Sequence, residues 1–283
     1  MSDRSGYSTP RRRPVGGVVV AVVVVVVALV AAVVFLVTRG GGDESAGDAG
    51  QATSTAAGDA QASATASGGA GVTSDFWGRR VVLPANPDGD VIPQKPVDTT
   101  DACNPVNYSR VPDDLTAQRT HTMSTLWSST DGPSGITESI PSGYSHTPQG
   151  AALAGWNYFS LFHVGGAVGY SSVKNFFGFS SEEKKELEAI PGAPNKETTQ
   201  DRTRMVAPAA VKYLSCHDDQ VVVQYFLPIP DINTGDSSRP RYGLLQMPVK
   251  WVDGHWELAM KKDTNIGGNV VESIDGEATL WGY

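Results

Sequence analysis

Residues 15–37, VGGVVVAVVVVVVALVAAVVFLV, run for 23 residues without a charged side chain. At about 1.5 Å rise per residue they make a helix of about 34 Å, enough to cross a hydrocarbon core about 30 Å thick. Valine is a mediocre helix former in water, but lipid offers the backbone no hydrogen-bond partner, so the segment must satisfy its own bonds as a helix. A cleaved secretory signal has an apolar region of about 7–15 residues and a small-residue cleavage site behind it. Here the run exits into Thr38-Arg39-Gly40, and no cysteine stands there for a lipid anchor. The stretch therefore reads as a retained transmembrane signal anchor. Arg4, Arg11, Arg12 and Arg13 precede it against Asp3 alone, while Arg39 is followed by Asp43, Glu44 and Asp48. The positive-inside rule then places residues 1–14 in the cytoplasm and everything beyond the span outside, a single-pass membrane protein with its N-terminus in and C-terminus out.

Residues 38–74 are almost entirely Gly, Ala, Ser, Thr, Asp and Gln, with Val72 the one branched apolar residue. Such a segment buries too little surface to offset the entropy of ordering it. It reads as a disordered tether with an end-to-end distance of about 35 Å. Composition changes abruptly at Asp75-Phe76-Trp77, and residues 75–283 read as one extracytoplasmic domain. From residue 40 onward the chain holds 17 Lys and Arg against 29 Asp and Glu, and its longest basic runs are two residues. A phosphate-neutralising groove needs the opposite sign, so no nucleic-acid contact is expected. The two cysteines, Cys103 and Cys216, fall on the outer side, where disulfides are permitted. An even count without a CxxC spacing favours a structural bridge. A catalytic thiol is the alternative, although nothing beside either cysteine builds a thiolate site.

Within the domain, residues 79–92 read as a short strand, a turn and an extended piece. Residues 93–114, with Pro93, Pro96, Pro105 and Pro112, read as irregular coil, residues 115–128 as either helix or strand, and 129–146 as a loop. Thr147 is a good N-cap and Pro148 suits the first helical position. The helix they open runs to about His163 and stops at Gly165-Gly166. Gly150, Ala151, Ala154 and Gly155 form a small-residue stripe, and large apolar residues cover most of the rest, so the helix belongs in a core. Ser180 and Glu183 fit a capping box for a surface helix over 181–190. Residues 206–215, 220–227 and 241–252 read as strands, the last turning through Asp253-Gly254 into a hairpin. The sum is an α+β fold, with a buried helix packed on an antiparallel sheet and a tail pinned by Trp281-Gly282-Tyr283.

The stretches SSTDGPSGI, GYSHTPQGAALAGWNYF and VKWVDGHWEL resemble a group of uncharacterised single-pass extracytoplasmic proteins of high-GC Gram-positive bacteria. The group's mark is Gly-aromatic-x-His-Thr-Pro-x-Gly-Ala-x-x-Ala, matched here by His146, Thr147, Pro148, Gly150, Ala151 and Ala154. The resemblance spans roughly residues 76–260. It implies a setting near conjugative or integrative elements and no known catalytic residues. The order of helix then sheet is also similar to the NTF2-like cone of conjugation scaffolds, a likeness of fold, which does not fix function.

Three functional classes follow. The first is a non-enzymatic interaction or scaffold protein of the bacterial envelope, accessory to conjugative transfer or secretion, with other envelope proteins as partners. The second is a small-ligand-binding or sensing module, with His146, Trp156 and Asn157 lining a cone pocket. The third is an envelope hydrolase using Ser145 and His146. A nucleophile elbow needs G-x-S-x-G on a strand-turn-helix, and here Thr147 stands where the second glycine should be. Asp131, in its Asp-Gly-Pro turn, reads as a turn cap. The five histidines show no HxH or HExxH spacing, so neither metal nor cofactor is expected.

Overall fold

The computed structural model describes residues 71–189, 206–230, 240–260 and 267–283. The apolar run at 15–37 and the tether up to residue 70 lie outside these residues. No helix among the described residues is long and apolar enough to cross a membrane.

The first sheet has four strands in the order β1 (Gly71–Ser74), β2 (Arg80–Leu83), β3 (Thr116–Thr120) and β4 (Met123–Trp127). β2 and β3 run parallel and the other pairs antiparallel. Strand β1 corrects the tether boundary, because the fold begins by Gly71 rather than at Asp75. An edge strand contributes mainly backbone hydrogen bonds, so a run of small polar residues can supply one without a hydrophobic signature. The ambiguous stretch 115–128 is a hairpin. His121 and Thr122 form its turn at φ 47° and 76°, the left-handed pair that a two-residue connection requires. Every residue of β4 is buried, which removes the alternation by which a half-exposed strand is recognised. The loop at 129–146 holds a second small hairpin, β5 (Gly135–Thr137) and β6 (Ile140–Ser142), and the coil before it holds one helical turn, α1 (Pro105–Tyr108).

Helix α2 (Pro148–Phe162) is the centre of the core. The Thr147 hydroxyl oxygen accepts from Gly150 N at 2.9 Å, and every residue from Pro148 to Leu161 is buried. The helix packs on β4 with one side and on the larger sheet with the other. The small-residue stripe serves that close approach. A Cβ on Gly150 would lie 2.1 Å from Ser145 O, and one on Gly155 would lie 2.6 Å from the Tyr225 hydroxyl. Gly165, at φ 70°, turns the chain into α3 (Gly166–Phe176), a helix the sequence reading did not contain. Its glycines and serines weaken helix propensity. Gly169 is nevertheless required where a Cβ would meet Phe162 O at 2.7 Å. α4 (Ser181–Ala189) follows, opened by the expected box, with Ser180 N donating to Glu183 Oε2 at 2.8 Å and Glu183 N to Ser180 Oγ at 3.2 Å.

The larger sheet contains β7 (Ala210–His217), β8 (Gln220–Ile229), β9 (Arg241–Val252), β10 (His255–Leu258), β11 (Gly267–Val271) and β12 (Thr279–Leu280). Its order is β10-β9-β8-β7-β12, and β11 pairs with the first half of β9. All its pairs are antiparallel. The tail is pinned as its aromatics suggest. The Trp281 ring is buried and the residue's backbone N–H donates to Ala209 O at 2.9 Å, while the Tyr283 hydroxyl donates to Ala207 O at 3.1 Å. Cys103, in the proline-rich coil, is bonded to Cys216 at the end of β7, with Cα atoms 5.4 Å apart and a sequence separation of 113. The architecture is α+β, mostly open sheet.

Candidate functional site

The entry to α2 gathers the polar chemistry of the domain. Asp131 is wholly buried. Its Oδ1 accepts from Arg110 Nη2 at 2.6 Å and from the Thr147 hydroxyl at 2.7 Å. Its Oδ2 accepts from Arg110 Nη1 at 2.8 Å and from the Thr130 hydroxyl at 2.7 Å. The residue is thus the acceptor of a bidentate buried ion pair, not a local turn cap. With its own proton committed to Asp131, Thr147 is oriented to cap Gly150. Burial works against the Arg110 charge, but the hydrogen bonds and attraction of Asp131 outweigh it, and the guanidinium pKa ends above its usual value. Gln149 extends the network, its Nε2 donating to Asn107 O at 2.6 Å and to Arg110 O at 3.1 Å.

His146 is half-exposed beside this network. Its Nε2 donates to Asp218 O at 2.6 Å, which requires the ring hydrogen on that nitrogen, and Asp219 Oδ1 lies 3.6 Å away. The ring stacks on Trp251 at 4.2 Å between centroids and leans on Trp256 at 5.3 Å. Trp256 Nε1 donates to Ser145 O at 2.9 Å. The Ser145 hydroxyl donates to Thr130 O at 2.8 Å. The serine and the histidine are therefore each spent on a different carbonyl, and no hydrogen bond joins them among the described residues. A cavity of about 220 Å³ opens here. The proline-rich coil lines it with Thr99, Asp101, Ala102 and Cys103, and the body of the domain with His146, Pro148, Asp218 and Trp256.

The other two sequence-predicted ligand residues lie elsewhere. Trp156 and Asn157 are wholly buried and do not line this cavity. Trp156 Nε1 donates to Ser124 O at 2.8 Å. Asn157 Oδ1 accepts from Leu126 N at 2.8 Å, and its Nδ2 donates to Leu126 O and to the Tyr144 hydroxyl, both at 2.8 Å. The carboxamide thus supplies β4 with the donor and acceptor that a further strand would have supplied, and it ends the sheet against the helix. Burial keeps the Tyr144 phenol protonated, its pKa pushed far above the ordinary value. The placement of Trp156 and Asn157 corrects the pocket expectation for them: a polar residue on an apolar helix is satisfied by the neighbouring backbone. Of the three ligand candidates, only His146 touches the cavity. Sequence reading missed Arg110. Arg110 sits in aperiodic coil, and nothing in its neighbours announces a partner 21 positions away.

A family model for a domain of unknown function (DUF8175) matches residues 82–279, from within β2 to the start of β12. The chain belongs to this family. No curated protein and no solved structure matches it. In this family member the matched region takes in both cysteines, the Arg110–Asp131 pair and the His146 cavity.

Proposed function

We propose that this DUF8175 member is a membrane-tethered, extracytoplasmic interaction protein of a bacterial envelope, a scaffold accessory to conjugative transfer or secretion. The observation that carries the reading is the Cys103–Cys216 bond. Structural disulfides persist in oxidising compartments and are rare in the cytosol, which accords with the orientation drawn from the arginines before residue 14. Helices followed by a long antiparallel sheet with a helix on its face support an NTF2-like arrangement, the reading that links the domain to conjugation scaffolds. The test is cross-linking of the full chain in native membranes, followed by mass spectrometry of what it captures. Envelope proteins recovered repeatedly through the domain support the scaffold reading; a chain recovered without partners above background counts against it.

A second reading, a small-ligand module, is favoured by the 220 Å³ cavity beside His146. Native mass spectrometry of the purified full chain, with His146→Ala as comparison, tests it. A retained small molecule lost in the variant supports the reading, and an empty wild-type protein opposes it.

A further inference from the structure

We infer that residues 96–106 form a strap latched by the Cys103–Cys216 disulfide, and that reduction of this bond opens the cavity beneath it. The strap is held firmly at both ends without covalent help. Before it, Lys95 N donates to Ser129 O at 2.6 Å and Gln94 Nε2 to Ser128 O at 2.9 Å. After it, Gln149 grips the carbonyls of Asn107 and Arg110, and Arg110 is locked on Asp131.

Between those anchors the strap's hydrogen bonds are local. Asn104 N donates to Asp101 O at 2.9 Å, Thr100 N to Asp98 Oδ1 at 2.8 Å, and Asn107 Nδ2 to Asp101 O at 3.2 Å. Among the described residues, the hydrogen bonds that leave 96–106 reach only Asn107 and Ser109 immediately after it, and none reaches the sheets or α2. Most of the strap is solvent-exposed, and Val106 is 80% exposed. The disulfide is thus the tie at its middle, and Thr99, Asp101, Ala102 and Cys103 are the wall it holds against the cavity. A segment with fixed ends, little buried surface and one central tie opens locally without unfolding its neighbours.

The latch works by thiol–disulfide exchange with a dithiol reductant. A reductant thiolate attacks one cysteine sulfur, the Cys103–Cys216 bond breaks, and a mixed disulfide forms. The reductant's second thiol displaces it and closes the reductant's own disulfide, so two electrons and two protons end on Cys103 and Cys216. His146 and Trp256 then face solvent across the vacated wall. The inference does not depend on which molecule fills the cavity.

The test uses the full chain in detergent micelles, oxidised or reduced with dithiothreitol, alkylated and desalted. Hydroxyl-radical footprinting reads His146 and Trp256. In parallel, a protease that cuts before aspartate probes Asp98 and Asp101 in Cys103→Ser/Cys216→Ser. The expected result is at least a threefold rise in oxidation at both rings and a tenfold faster cut in the strap, with cleavage inside β7–β10 unchanged. Unchanged oxidation after reduction, equal loss of protection in the strap and the sheet, or a disulfide that resists dithiothreitol without denaturant would each overturn the inference.

Discussion

Asp131 accepts four hydrogen bonds from three side chains, and each donor belongs to a different part of the chain: the coil before the hairpin, its own turn, and the cap of α2. Removing one member of a buried ion pair leaves the other charge uncompensated, at a cost of about 3–5 kcal/mol. Asp131→Ala is therefore expected to lower unfolding free energy by about 3–5 kcal/mol, read from the urea midpoint by tryptophan fluorescence. A loss under about 1 kcal/mol, the range of exposed pairs, would show that the carboxylate is replaceable there. Asn157 gives a second case at this scale. Asn157→Leu fits the apolar helix but strands the N–H and C=O of Leu126, each costing about 1–3 kcal/mol when buried and unpaired. Its expected penalty is about 2–5 kcal/mol, checked by the same denaturation, and a neutral effect would remove the strand-mimic account.

At the scale of elements, what was legible in the sequence is what local chemistry dictates. Thr147-Pro148 announced α2, Ser180 with Glu183 announced α4, and Asp253-Gly254 announced the turn between β9 and β10, because caps and turns are written in neighbouring residues. β1, α3 and the partner of Asp131 were not legible. β1 is made by backbone pairing with β2, α3 by its packing against α2, and the Arg110 pair by tertiary placement of an aperiodic coil. The site was legible only at His146, since exposure decides whether a polar residue meets a ligand, and exposure is set by the whole fold. The C-terminal tail carries its own prediction. Asp275 accepts from Glu277 N at 2.9 Å and from Lys212 Nζ at 2.6 Å. The Glu277 N–H first, and Lys212 after it, hold the Asp275 carboxyl below its usual pKa. Its stabilising contribution is present above the ordinary value of about 3.9 and is lost as pH falls through the lower folded value. Pepsin at a pH well under the ordinary carboxylate range is thus expected to release the segment after residue 267 before it cuts β7–β10. Simultaneous digestion of tail and sheet would show that the Asp275 contacts do not govern the tail's attachment.

For the molecule as a whole, one covalent bond ties the proline-rich coil to the sheet. In the chain-entropy view, closing a loop of this length contributes about 4–5 kcal/mol. The same bond links structure to compartment, and the proposal that the domain stands outside the membrane rests on it together with the uncharged run before it. Thiol trapping in intact cells therefore tests the account most directly, with a maleimide that adds mass to each free cysteine of the denatured chain. The account predicts no shift of the full-length protein without reductant and a shift of two labels after reduction; full labelling of both Cys103 and Cys216 in unreduced cells would contradict it.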